Sequence, residues 1–261
     1  MPTTLRKCIK RELLVAKSVL FVYEGEKTET QVHEVFERHY FSSKQTSIKV
    51  AFGAEIYQLW KRMTSEEYLD VLEVLKERAL INHDEIAPLK RGDVSEIYLF
   101  FDYDGHTSLS CDEDLGSMLD YFNEETGPGK LYISYPMVEA VKHINAVNDF
   151  LDTVFNIPDG KSYKKLVNDE TDYMHLSKIK KSELDYVVLQ NCKKANYLVQ
   201  GDRAPPEYQT VISRLSQGQI FRAQLEKHIL RSNQVSVLSG FPLFTVEYFG
   251  RDALTALYHG R

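Results

Sequence analysis

Two uninterrupted apolar strands, each running straight into carboxylates, constrain the fold of this chain more than any other feature. The first is Val19-Leu20-Phe21-Val22-Tyr23 followed by Glu24-Gly25-Glu26, and the second is Ile97-Tyr98-Leu99-Phe100-Phe101 followed by Asp102-Tyr103-Asp104-Gly105. Neither run alternates apolar with polar residues, so each is read as buried on both faces, the condition of a strand inside a parallel sheet. Ligands of such sheets bind in the crevice beyond the carboxyl ends of the strands, where both acidic clusters fall. Carboxylates gathered there offer hard oxygen donors to a divalent cation.

The pattern between and after these strands alternates. Strand one is expected at Ser18 to Tyr23, and a helix from Thr28 to about Tyr40 buries Val32, Val35, Phe36 and Tyr40 at helical spacing. Strand two is expected at Ser47 to Phe52, closed by Gly53, and feeds a helix through Trp60 to Met63. A longer helix within Glu66 to Asn82 carries Tyr68, Leu69, Leu72, Leu75 and Leu80, and Pro88 and Gly92 mark a loop. Strand three is expected at Glu96 to Phe101 and strand four at Lys130 to Ser134, with a helix between them lined by Leu115, Met118, Leu119 and Phe122. After Pro136 the chain turns helical through Val138, Val141 and Ile144. This order predicts an α/β fold, a parallel sheet with right-handed crossovers flanked by helices, over residues 1–146, with a helical insertion over about 64–92. Residues 147–261 are expected to be mainly helical. Pro205 and Pro206 precede a helix from Glu207 to Arg231, and Pro242 breaks an apolar stretch from Val235 to Phe249 that closes back onto the first domain.

Among 261 residues, 43% are hydrophobic and 27% charged, the composition of a globular chain able to bury a core. No run approaches the roughly 20 apolar residues of a membrane helix and the N-terminus has no signal-peptide core, so a cytoplasmic protein with no membrane partner is expected. Three dispersed cysteines, Cys8, Cys111 and Cys192, suit free thiols rather than disulfides or a zinc site. The net charge of −6 is unevenly spread: Gly160 to Arg231 carries +5 and the rest of the chain −11. Within that basic segment Lys164, Lys165, Lys180, Lys181, Lys193 and Lys194 interleave with tyrosines. Such a pattern favours a phosphate backbone with stackable bases, and equally describes a solvated helical face.

Glu24-Gly25 after a hydrophobic strand, followed much later by a strand ending in Asp102-Tyr103-Asp104, resembles the TOPRIM domain shared by topoisomerases, primases and OLD-family nucleases. Tyr23-Glu24-Gly25-Glu26-Lys27-Thr28-Glu29, with Tyr135-Pro136-Met137-Val138-Glu139, most resembles stand-alone TOPRIM proteins of the RloB and PARIS AriB type, which act in bacterial defence against phage. The resemblance covers residues 18 to 145 and implies a nuclease dependent on Mg²⁺ or Mn²⁺. Glu24, Asp102 and Asp104 would be its catalytic and metal-binding carboxylates, with Glu26 and Glu139 completing the shell and Lys27 on a phosphate. It also implies a separate ABC- or OLD-type ATPase subunit, since no GxxxxGK[ST] loop occurs here, and a possible homodimer, for which the apolar Phe241 to Phe249 is a candidate face. DNA and structured RNA such as tRNA are not distinguished as partners, because basic clusters with tyrosines suit the phosphate chemistry of either polymer.

Other readings of the same residues stand beside this one. Asp102 and Asp104 are also the residues that cap a turn through Asx hydrogen bonds, and Glu24 is a suitable helix-capping carboxylate. Leu99 to Gly105 further resembles the nucleophile motif of haloacid-dehalogenase-type phosphatases, with Asp102 as nucleophile and Asp104 as acid and base. His106 stands where that family has Thr, and the motif lies on the third strand rather than the first. A non-catalytic TOPRIM binding or regulatory subunit is the third reading.

Overall fold

A computed structural model describes residues 18–41, 47–65, 69–105, 111–146 and 149–259. Cys8, Tyr68 and His106 lie outside the described residues. Six consecutive buried residues form β1 (Ser18–Tyr23), which lies between β2 (Ser47–Ala51) and β3 (Val94–Asp102) with both pairings parallel. Strand β3 continues the sheet in parallel to β5 (Gly129–Ser134), and a two-residue strand, β4 (Asn123–Glu124), adds an antiparallel edge. The order β2-β1-β3-β5-β4 puts the two acid-tipped strands side by side at the middle of the sheet. The register pairs Asp102 with Ser134 and Tyr23 with Phe100.

Period-two alternation sorts the strand side chains onto two faces. One face is a slab of rings: Phe100 stacks between Tyr132 and Phe241, with ring centroids 5.4 Å and 4.3 Å away, and Phe21 stacks on Tyr98 at 5.6 Å. Helix α1 (Thr28–Tyr40) covers part of this slab, placing the His33 ring 4.4 Å from that of Phe21. Near Phe101 on the other face, Phe52 approaches, and α2 (Ile56–Thr64), α3 (Val71–Arg78) and α5 (Asp112–Tyr121) pack on one another, while α4 (His83–Ile86) adds a single turn against β2.

The second half of the chain contributes to the same core. Helix α6 (Gly160–Glu170) leads to α7 (Lys181–Gln200), α8 (Tyr208–Arg214) and α9 (Gln217–Gln224). A π-helical turn, Leu225–Ile229, and α10 (Leu230–Ser232) follow. The three-residue strands β6 (Val154–Asn156) and β7 (Gln234–Ser236) pair antiparallel before α11 (Gly240–His259). From α11, Phe241 and Phe244 insert among Tyr23, Phe100, Tyr98 and Tyr132, so buried side chains from both halves form one continuous cluster.

Several boundaries differ from the sequence reading for local reasons. Ser216 and Gln219 form a capping box that starts α9, splitting the expected 207–231 helix at Leu215. Pro242 falls in the first turn of α11, where its missing N–H costs nothing, so it begins a helix instead of breaking the apolar stretch. What interrupts α11 is Gly250, at φ 77° and ψ −164°, a backbone region open essentially to glycine. The segment after Pro136 is a 3₁₀ helix, Val138–Lys142, and the insertion helix is confined to Val71–Arg78. Phe241 and Phe244 are buried within their own chain, so the proposed dimer face is largely internal. Among the described residues no helix is long and apolar enough to cross a membrane.

Candidate active site

Each of the four parallel strands delivers a carboxylate to its carboxyl end. Glu24 follows β1, Glu55 precedes α2 beyond β2, Asp102 closes β3 with Asp104 two residues on, and Glu139 stands in the 3₁₀ turn after β5. Glu24 Oε2 lies 3.4 Å from the Asp102 amide, a long contact that joins the two strand ends. Between them, Glu29 in the first turn of α1 folds back and accepts the Gly25 N–H at 3.0 Å. A Cβ at Gly25 would lie 3.2 Å from the Glu29 carboxylate oxygens, so glycine permits this close return.

The electrostatics of this rim are those of like charges taken out of water. Burial, then Asp104, with smaller contributions from Glu29 and Glu55, push Glu24 up to about 8 against the opposing Asp102 amide. Burial, followed by Glu24, Glu29, Asp104 and Glu139, holds Asp102 well above the usual carboxylate range. Glu29 is also raised, first by burial. Neighbouring carboxylates without a counterion resist ionisation, and the rim holds protons where isolated acids would not.

One cation answers part of this charge. Lys164 on α6 reaches the buried Glu139, Nζ to Oε1 3.1 Å. Helix α6 is seated on the 3₁₀ turn by a buried relay in which the His143 ring bridges the Tyr163 hydroxyl and a Glu170 oxygen, each at 3.0 Å. Lys142 Nζ also donates to Asn168 Oδ1 at 2.8 Å. The C-terminal region therefore forms one wall of the crevice.

The structure brings Glu24, Asp102, Asp104 and Glu139 to one end of the sheet, as their strand positions predict. It does not place Glu26 among them. That residue is exposed in the bend before α1, and Glu29 takes the inward position because the first helical turn carries it back over Gly25. Glu29 and Glu55 were not singled out from sequence; an acid in a first helical turn has the plainer explanation of the helix dipole. Lys27 is exposed at the N-cap of α1, Lys165 is exposed on α6, and Lys193 is half-buried on α7. Lys180 is exposed at the head of α7, and Lys181 lies 4.1 Å from the Tyr40 ring centre and pairs with Asp185. Lys194 must be corrected as a polymer contact. It is fully buried, with Nζ donating to the carbonyls of Phe150 at 2.6 Å and Thr153 at 2.5 Å, and it offers no charge to an external phosphate.

Among the described residues no three carboxylate, histidine or cysteine groups form a ready-made metal cage. The donor chemistry nonetheless suits a hard divalent cation, because the rim consists of oxygen donors whose mutual repulsion a cation would relieve. Comparison with protein-family models, with curated proteins and with solved structures found no match to this chain.

Proposed function

We propose that the carboxylate rim is the active site of a TOPRIM-type hydrolase that cleaves phosphodiester bonds in nucleic acid. One observation carries the proposal: two adjacent parallel strands, β1 and β3, deliver Glu24 and Asp102 to a single crevice where burial and mutual repulsion raise both pKa values. Perturbed carboxylates in a crevice are the expected signature of a chemical site. In this reading Asp102, Asp104, Glu24 and Glu139 hold Mg²⁺ or Mn²⁺. Bound there, the cation would polarise the phosphate and lower the pKa of an attacking water.

The chain's own residues have distinct tasks. Glu24, joined to the Asp102 amide, has two alternative tasks. Ionised, it is a ligand of the cation. Protonated, as its raised pKa of about 8 favours without a cation, it leaves the cation to Asp102, Asp104 and Glu139 and is suited to protonate a leaving oxygen. Lys164 neutralises Glu139 and places a positive charge beside the position of a backbone phosphate. In the phosphatase alternative Asp102 is the nucleophile and Asp104 the acid and base. Both readings need Asp102 ionised, so its raised pKa does not separate them and the substrate does. The role in phage defence under a separate ATPase rests on the family resemblance alone.

The test is cleavage of plasmid DNA, single-stranded DNA and tRNA by the purified chain with Mg²⁺, Mn²⁺ or EDTA, beside Glu24→Gln and Asp102→Asn. Cutting that needs the cation and falls by about 10²-fold or more in each variant is expected. Hydrolysis of a small phosphate ester, lost only in Asp102→Asn and with every polymer left intact, would replace the nuclease by the phosphatase.

A further inference from the structure

A cleft of about 700 Å³ opens along α2, on the insertion between β2 and β3 and apart from the basic C-terminal segment. Helix α2 starts one residue after Glu55, which contributes to the charge on Glu24, so it begins at the carboxylate rim. From there Tyr57, Trp60, Lys61 and Thr64 recur at i, i+3, i+4 and i+7 and line the cleft as one helical face. That face spans about 10 Å of helix, the length of roughly three stacked bases. Arg62 and Arg78 are also in the wall, so that among the described lining residues three cations face one carboxylate, Asp114, in a chain whose net charge is −6.

The lining groups are prepared unequally. Arg62 grips Glu77 through two bonds, Nε–Oε2 at 2.9 Å and a terminal nitrogen to Oε1 at 2.8 Å, and Arg78 donates to Gln58 Oε1 at 3.0 Å. These pairs hold both guanidinium planes in place. Lys61 is exposed and makes no ion pair among the described residues. Trp60 is half-buried and packs edge-on against Tyr121 at 5.6 Å and Phe122 at 6.1 Å, which fixes its ring while it lines the cleft. Tyr57 is only 6% exposed, yet its hydroxyl lies near the Cys111 amide without a hydrogen bond of acceptable geometry. The hydroxyl is closed off from solvent, so Tyr57 meets the cleft through its other atoms and not through this group. Burial, followed by Asp112 and Asp104, raises the pKa of that hydroxyl, so this end of α2 lies within the electrostatic reach of the rim.

We propose that this cleft binds a single-stranded segment of nucleic acid and leads it to the carboxylates, with a base stacked on Trp60 and the backbone on Lys61. A fixed aromatic ring beside unpaired positive charge is what a single strand needs and what a duplex, its bases already stacked, cannot use. The proposal deepens the nuclease reading by naming the form of substrate, and it rests on that reading only for what happens after binding.

Trp60 is the only tryptophan in the chain and therefore its own reporter. The experiment titrates the protein, in EDTA so that nothing is cut, with labelled oligonucleotides about 12 long, as single-stranded DNA, single-stranded RNA and duplex, following tryptophan emission and label anisotropy together. Saturable quenching by either single strand, weaker with the duplex, is expected. Trp60→Ala should weaken binding about tenfold to hundredfold and Trp60→Phe much less. Lys61→Gln should lower the salt dependence by about one counterion. Thermal melting checks that the variants fold, and Lys61→Gln, an exposed change, remains decisive if Trp60→Ala does not. Unchanged emission at saturating oligonucleotide, or full affinity in both Trp60→Ala and Lys61→Gln, overturns the cleft. If binding behaves as expected but no polymer is cut with cation present, the cleft stands and the nuclease reading falls; if cleavage needs Glu24 and Asp102 but ignores Trp60 and Lys61, the cleft alone is wrong.

Discussion

The carboxylate rim and Lys194 are two places where this chain takes charge out of water, and they resolve it in opposite ways. Lys194 is enclosed, but two main-chain carbonyls accept its protons and the Phe150 ring lies 4.5 Å from its nitrogen, so its cost is met within the fold. Burial lowers its pKa well below the ordinary lysine value, with Asp152 and Asp149 pulling the other way. At the rim, burial and mutual repulsion raise Glu24, Glu29 and Asp102 together, and Lys164 reaches only Glu139 at one side. The lesson is that burial alone does not mark a functional ion. What marks it is burial whose compensation must come from a ligand.

The largest effect should come from the satisfied site. Lys194→Ala is expected to cost about 3–5 kcal/mol in urea unfolding, because two carbonyls lose their donor and a cavity opens. A near-neutral result would remove the contrast. His33 offers a smaller, intermediate case. It is 1% exposed, its Nε2 has no partner among the described residues, and burial lowers it to about 4. Because the unfolded chain binds the proton first, this group withdraws stability as pH falls from about 6.5 through about 4. His33→Leu should therefore spare about 2–3 kcal/mol relative to the parent at pH 4, measured as the change in urea midpoint between neutral and acid.

The rim should show the opposite sign. Glu24 is raised, so its contribution to stability grows as pH falls from about 8 toward about 4.5 and is lost as pH rises through about 8. Asp102→Asn should stabilise the chain by about 1–3 kcal/mol at pH 8 and flatten that slope, in thermal melts across pH. Destabilisation instead would show that the rim is compensated internally after all. The smallest expected change is Lys164→Gln, within about 1 kcal/mol of the parent because the ammonium is largely exposed, with cation-free stability at pH 8 falling and added Mg²⁺ restoring it.

The sheet was legible because its strands are unmixed apolar runs. Ser18–Tyr23 was read to the residue and Asp102 was correctly placed at a strand end. The edge strand Asn123–Glu124 and the β6–β7 pair were not, since segments of two or three residues hold no period. The break at Leu215 did leave a trace in Ser216-Gln217-Gly218-Gln219, a capping-box spacing outweighed by the helical composition around it. Lys194 left one too: three residues after Asn191 and four before Leu198, it falls on the buried stripe of α7. Charge type argued for the surface and periodicity for the core, and here periodicity was right. At the site, strand ends announced Glu24 and Asp102, whereas Glu29 arrives only through the fold-back to Gly25, which spacing alone does not reveal.

The aromatic slab has a consequence for the order in which the molecule can become itself during synthesis. Phe241, Phe244 and Tyr248 are made more than a hundred residues after Phe100, yet they cover Phe100, Tyr98 and Phe21. A nascent chain emerging from the ribosome carries that ring face uncovered until α11 follows it out.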